Sequence, residues 1–253
     1  MKLISLAKSL AHSLLIRLAT KKMGYTIKPI GKGYFNAKST IKKAEEEGLS
    51  VAEYLEKNNI GKVGRNRDSI ISLLNNKGFI TKYDSILEIG AGTGIYLERF
   101  LELCAPAKYE VYEPDLGWSN YLRKKYSDRG IEMKVHQSDG CTLKQSKDNT
   151  VDLVIAHGVF VYLPIVITFH YLIEAVRVCK QNGRIVFDCF TDRTFTVDEI
   201  IRFREVNPEY DFPVIISEAT LFDFCDRFNL EIEGFFEAPY HLTNTTYYVI
   251  KKK

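Results

Sequence analysis

Along the last two thirds of the chain, apolar positions follow two alternating rhythms. SILEIG (85–90), YEVYE (109–113), IEMKVHQ (131–137), VDLVIAHG (151–158) and RIVFDCF (184–190) are short apolar runs rich in β-branched and aromatic residues, and predict strands. Between and after them, apolar residues recur at helical spacing in IYLERFLELC (95–104), GWSNYLRKKYSDRG (117–130), PIVITFHYLIEAVRVCKQNG (164–183) and SEATLFDFCDRFN (217–229). Gly130 and Gly183 stand where two of these helices are expected to stop. Such alternation implies parallel strands joined by crossover helices. LEIEGFF (230–236) and TTYYVIKKK (245–253) are strands with no helix between them, so one of them is expected to run antiparallel.

The first third has a different character, with helices and loops and no strand pattern. Ser50 followed three residues later by Glu53 reads as a capping box opening a helix at SVAEYLEK (50–57). Asp68 is placed to cap SIISLLNNKG and Gly78 to end it. Leu3, Leu6, Leu10, Leu14 and Leu18 recur at helical spacing, which predicts an amphipathic helix. Lys8, His12 and Arg17 interrupt the apolar run and argue against a secretory segment. Residues 1–20 then make weak contact with a membrane surface, close over a ligand or pack on their own domain, and packing is the preferred reading. The expected division is a helical N-terminal cap over 1–66 and an α/β domain over 67–253.

Composition narrows the function. The 253 residues, 45% of them hydrophobic, suffice for one large α/β domain. Lys and Arg number 35 against 32 acidic residues, a balance that does not ask for a nucleic-acid partner. Cys104, Cys141, Cys179, Cys189 and Cys225 lie far apart without a C-x-x-C pair. They point to structural thiols in a reducing, cytoplasmic setting, with no metal site.

The chemistry concentrates at Gly90-Ala91-Gly92-Thr93-Gly94, where the first strand turns into a helix. Ligands of an open parallel sheet bind beyond the carboxyl ends of its strands. Glycine permits the tight turn and lets a ligand approach the backbone, while the helix presents free N–H groups to the same place. A dinucleotide site has G-x-G-x-x-G, but here Ile95 occupies the sixth position. The form E-x-G-x-G-x-G, Glu88 to Gly94, instead resembles motif I of the class I S-adenosylmethionine-dependent methyltransferases. Later strands carry the remaining signals in order: Glu113 ends the second, Asp139 follows the third, and the fourth, introduced by Asp152, ends near His157.

This resemblance implies a Rossmann-like, doubly wound seven-stranded mixed sheet with helices on both faces. It also implies S-adenosyl-L-methionine as cofactor and S-adenosyl-L-homocysteine as product. Gly90, Ala91, Gly92 and Gly94 would line the methionine and ribose part, with Glu88 beneath the turn, near the methionine ammonium or the loop amides. Glu113 would accept both ribose hydroxyls, Pro114 would flank the adenine, and Asp139 and Gly140 would meet its edge. His157 would lie near the sulfonium methyl, either as a base for the acceptor or as a contact to cofactor or backbone. Tyr34 and Phe35 could close over the cofactor, and Arg65 and Arg67 could grip an anionic group.

Strand four reads AHGVFVYLP and lacks the Asn/Asp-Pro-Pro-Tyr/Phe motif of N-methylases acting on adenine, cytosine or glutamine; the nucleophilic cysteine of cytosine-C5 enzymes is also missing there. The expected reaction is methyl transfer to a small molecule or glycan, at oxygen. An RNA or protein methyltransferase and a non-enzymatic cofactor-binding or membrane-associated module are the alternatives. The acceptor and the oligomeric state are not legible in the chain.

Overall fold

The computed structural model describes residues 36–58, 67–127, 130–206, 213–240 and 242–253. Tyr34, Phe35, Arg65, the side chain of Arg67 and the leucine-spaced segment 1–20 lie outside the described residues, and so do the roles expected of them. Asn36–Lys253 form one compact unit.

Three short helices lead into the sheet: α1 (Ala37–Glu46), α2 (Val51–Lys57) and α3 (Arg67–Asn76). The Asn36 side chain caps α1 by accepting from Ser39 N. The capping box forms as expected, with Ser50 N donating to Glu53 Oε2 at 2.8 Å and Glu53 N to Ser50 Oγ at 3.2 Å. Asp68 is not the cap expected of it. It lies inside the first turn of α3, where its carboxylate meets Arg99 at 3.5 Å. Gly78, at φ 74°, ends that helix as predicted, donating back to Asn75 O.

The sheet follows: β1 (Ser85–Ile89), α4 (Ile95–Cys104), β2 (Lys108–Glu113), α5 (Leu116–Tyr126), β3 (Glu132–Gln137), β4 (Val151–Ala156), α6 (Ile165–Val178), β5 (Cys179–Thr191), α7 (Val197–Val206), β6 (Ile215–Ile216), α8 (Glu218–Arg227), β7 (Leu230–Tyr240) and β8 (Thr243–Lys252). Seven strands lie in the order β3-β2-β1-β4-β5-β8-β7, with the two-residue β6 beside β5. β8 is the antiparallel strand, paired with β5 and β7. Crossovers from β1 run toward β2 and β3, whereas β4 and β5 lie on its other side. The crevice between the carboxyl ends of β1 and β4 is therefore the switch point where α/β sheets bind ligands.

All five residues of β1 are buried, as in a strand covered on both faces. Leu87 and Ile89 face a core shared with Tyr171, Leu172 and Ala175 of α6 and Leu221 and Phe224 of α8. Ile86 faces the opposite core, with Ile70 of α3, Leu97 and Phe100 of α4 and Leu122 of α5. A Cβ on Gly117 would come within 2.7 Å of Ala37 Cβ, so the N-terminal end of α1 packs directly on α5.

Two expectations fail locally. The helix expected over 164–183 stops at Val178, and Cys179 already pairs with Val151. The register then jumps, Leu153 pairing with Arg184, so residues 180–183 bulge around Asp152. Lys180 Nζ reaches Asp152 Oδ1 at 2.7 Å and ties that bulge. Gly183 is a packed bend, with Asp152 O only 2.9 Å from where a Cβ would stand, and not a helix terminator. The second failure is α7, absent from the pattern reading. Only Phe203 of this helix is buried, while Val197, Ile200 and Ile201 are exposed, so its apolar residues do not mark one buried face.

Candidate cofactor turn and the rung beside it

Gly90, Gly92 and Gly94 all adopt left-handed backbone, at φ 70°, 52° and 78°. That conformation strains any residue with a Cβ. Packing adds a second constraint at two of them. A Cβ on Gly90 would stand 2.6 Å from Val159 Cγ2, and one on Gly94 2.7 Å from Leu122 Cδ2. At Gly92 a Cβ would meet nothing within 4 Å, so this residue faces open space. The middle of the turn, next to the N-terminus of α4, is a bare, open cradle.

Glu113 braces this cradle. Its Oε2 accepts from Gly92 N and its Oε1 from Asp115 N, both at 2.8 Å. The side chain is buried, which pushes its pKa up against the pull of these two N–H donors. Asp115 in turn caps α5 through Trp118 N. Pro114 is exposed, and its carbonyl accepts from Gln137 Nε2. Ala91 is buried inside the turn.

Glu88 sits one layer deeper. Its carboxylate accepts from the Tyr109 hydroxyl at 2.8 Å, and the loop amide is taken by Glu113 instead. Burial pushes the Glu88 pKa up to about 7; Tyr109 opposes this and the charge of Glu113 adds to it. The unfolded carboxyl ionises near 4.5, so the folded chain holds the extra proton between about 4.5 and 7, and stability falls as pH rises across that window. Glu88→Gln cannot titrate and keeps an acceptor for Tyr109. Relative to wild type it should gain about 3 kcal/mol on passing from below to above this window, read by denaturant unfolding at both pH values. A pH-independent difference would contradict the buried-acid assignment.

Asp139 is exposed, and its own loop occupies it. Oδ1 accepts from Cys141 N and Thr142 N, while Oδ2 takes Thr142 Oγ1 at 2.6 Å and Lys144 Nζ at 3.2 Å. Thr142 leads these contacts in holding the carboxyl well below the usual range. Gly140, at φ 85°, leaves open space where a Cβ would be. Asp139 thus shapes an open loop at the carboxyl end of β3, beside the turn.

His157 lies on the other side of the glycine turn. Its ring packs 3.8 Å from the Tyr96 ring, and Nδ1 is hydrogen-bonded to the Tyr247 hydroxyl. Nε2 is buried without a hydrogen-bond partner among the described residues. Burial lowers the pKa to about 3, so the imidazole is neutral near pH 7. His136, in β3, faces away from this turn into a contact of Nε2 with buried Glu110 at 3.1 Å.

Strand register ties these residues together. Ile89 pairs with Tyr112 on one side and Ala156 on the other, and Ala156 pairs with Phe187. One step further along each strand, Glu113, Gly90, His157 and Asp188 stand side by side. Asp188 itself pairs with Tyr247. A single rung across the carboxyl ends therefore carries the cofactor-turn residues on one half and His157, Asp188 and Tyr247 on the other. Gly158 N donates to Asp188 Oδ1 at 2.6 Å, locking β4 to β5 at this level. Asp188 is fully buried, and burial pushes its pKa up to about 7.

Sequence reasoning missed Asp188, Tyr96 and Tyr247. Asp188 did have a signal, a lone acid inside the apolar run RIVFDCF. Tyr247 had none, because it lies in a continuous apolar strand. A surface hollow of about 320 Å³ beside Glu98, Leu101, Pro106 and Ile131 lies at the opposite, amino edge of the sheet and has no part in this site. Among the described residues no helix is long and apolar enough to cross a membrane.

Comparison with known proteins agrees with this geometry. Residues 87–187 match the model of a family described as a methyltransferase domain. No curated protein matches the chain. Among solved structures, a magnesium protoporphyrin IX methyltransferase from Synechocystis PCC 6803 with bound SAM is similar over 90% of this chain and 100% of its own, at TM-score 0.57 and 13% identity. A SAM-dependent methyltransferase from Aquifex aeolicus aligns over 87% and 100%, at TM-score 0.54 and 15% identity. Geranyl diphosphate C-methyltransferase from Streptomyces coelicolor A3(2) aligns over 74% and 76%, at TM-score 0.55 and 10% identity.

Proposed function

We propose that this chain, a class I S-adenosylmethionine-dependent methyltransferase, methylates a hydroxyl oxygen of a small molecule or glycan. The observation that carries the reading is the buried, unpartnered Nε2 of neutral His157, one strand away from the bare glycine turn. When bound, S-adenosylmethionine supplies an electrophilic methyl group on a sulfonium. Gly90, Ala91, Gly92 and Gly94 line its methionine and ribose part, Glu113 takes the ribose hydroxyls, and Pro114, Asp139 and Gly140 border the adenine. Glu88 acts through the floor of the turn.

The chain's own part would be to hold the acceptor hydroxyl toward that methyl group and to take up its proton. The acceptor proton passes to His157 Nε2 and then to solvent. A hydroxyl that has taken a methyl group is a strong acid, so a base of pKa about 3 suffices to accept that proton. Holding the acceptor in line supplies the larger part of the rate.

The test has two steps. Calorimetric titration should show S-adenosylmethionine and S-adenosylhomocysteine binding to the purified chain. Transfer of labelled methyl should then be found to a hydroxyl compound among glycosides, lipid-linked sugars and phenols. Labelled product only on amines, RNA or protein would overturn the oxygen reading.

A further inference from the structure

Half of the rung has groups that the cofactor does not need. His157 and Asp188 stand next to each other on one face of the sheet, one residue beyond the Ala156–Phe187 pair. Each has one polar atom satisfied by the fold and one left over. The Tyr247 hydroxyl occupies His157 Nδ1, leaving Nε2. Gly158 N occupies Asp188 Oδ1, and the Thr245 hydroxyl lies beside Oδ2 and favours its charge, which leaves one lone pair of Oδ2 over. Buried polar atoms in native proteins are nearly always paired. Two leftover hydrogen-bonding positions on neighbouring strands, beside the switch point of the sheet, are open to a ligand.

We propose that His157 and Asp188 form a two-point acceptor subsite for a neighbouring pair of uncharged hydroxyls, one on His157 Nε2 and the other on Asp188 Oδ2. The subsite rests on the methyl-transfer reading and names its acceptor class. A hydroxyl pair offers two donors to two receiving atoms. Around them the walls are aromatic: Tyr96 lies on His157, and Tyr240 packs against Phe190 and meets the Tyr162 hydroxyl at 2.6 Å. Such walls suit the flat face of a sugar or a phenolic ring. Asp188 is then the residue that separates a diol from a single alcohol.

The experiment uses the full chain saturated with S-adenosylhomocysteine. Methyl α-D-mannopyranoside and catechol are titrated against methyl 2,3-dideoxy-α-D-erythro-hexopyranoside, which has no hydroxyls on adjacent carbons, and phenol, with binding read by ligand-observed saturation-transfer NMR. The expected result is that at least one diol binds about 10-fold tighter than its single-hydroxyl or deoxy counterpart. The mannoside and catechol arms separate a sugar acceptor from a phenolic one. Asp188→Asn and Asp188→Ala should erase that preference, while calorimetric affinity for S-adenosylmethionine stays within about 2-fold. If Asp188→Ala fails to fold, Asp188→Asn, which is close in size, carries the test alone. No binding of either diol, equal binding of diol and counterpart, or a preference that survives in the folded variants would overturn the subsite. S-adenosylmethionine binding to the wild type is independent of these outcomes, and its absence would instead remove the methyl-transfer reading itself.

Discussion

Glu113→Ala should weaken S-adenosylmethionine binding by about 2 kcal/mol or more, roughly 30-fold, the scale for losing a charged hydrogen-bond partner. The carboxylate has two tasks in this structure. It holds Gly92 N and Asp115 N, and it is the acid at the carboxyl end of β2 that faces the cofactor turn. Both tasks act in the same direction on affinity, because losing the Gly92 contact loosens the turn that a ligand must approach. Calorimetry on the variant gives the affinity, and a melting curve on the same sample separates loss of binding from loss of fold. If affinity for the cofactor is unchanged, Glu113 is a brace for the loop and does not hold the ribose.

Replacing His157 by alanine should lower turnover about 10²-fold or more with little change in cofactor affinity. Its burial also sets a pH expectation. With a pKa of about 3, the imidazole is neutral through the ordinary working range and loses its lone pair only as pH falls toward 3. Its contribution to turnover should therefore stay level between about pH 5 and 8, with no step near the ordinary histidine value of about 6.5. A step near 6.5 that vanishes in His157→Ala would contradict the buried neutral state. A turnover loss explained wholly by weaker cofactor binding would make His157 a cofactor contact.

The two variants probe opposite halves of one rung, and the halves differ in how openly the sequence displays them. The glycine turn, Glu113 and the Asp139-Gly140 loop each follow a strand at short range, so local pattern is enough to locate them. Asp139 shows the limit of that approach. The Asp-Gly pair is an ordinary turn as well as a candidate ligand contact, and in the structure its carboxylate is taken up by Thr142, Cys141 and Lys144.

What the sequence determined by itself was the α/β alternation, the seven strands of the continuous sheet, the antiparallel ending and the place of the bare turn. All of these rest on short-range rules: side-chain period, helix and turn chemistry, and the conformational freedom of glycine at positive φ. The tertiary structure decided which strands are neighbours, and so which distant residues share a rung. Asp188 and Tyr247 lie 59 positions apart in the chain (247 − 188) yet pair directly, and nothing local in TTYYVIKKK marks Tyr247 as the partner of His157. It also decided where the helix before β5 ends, because the pairing of Cys179 with Val151 overrode a helical pattern that ran on to Gly183. Burial likewise comes from packing, and it is burial that makes Glu88 and Asp188 weak acids and His157 a neutral imidazole. Desolvation depends on every neighbour in space, and a linear pattern carries only the neighbours in sequence.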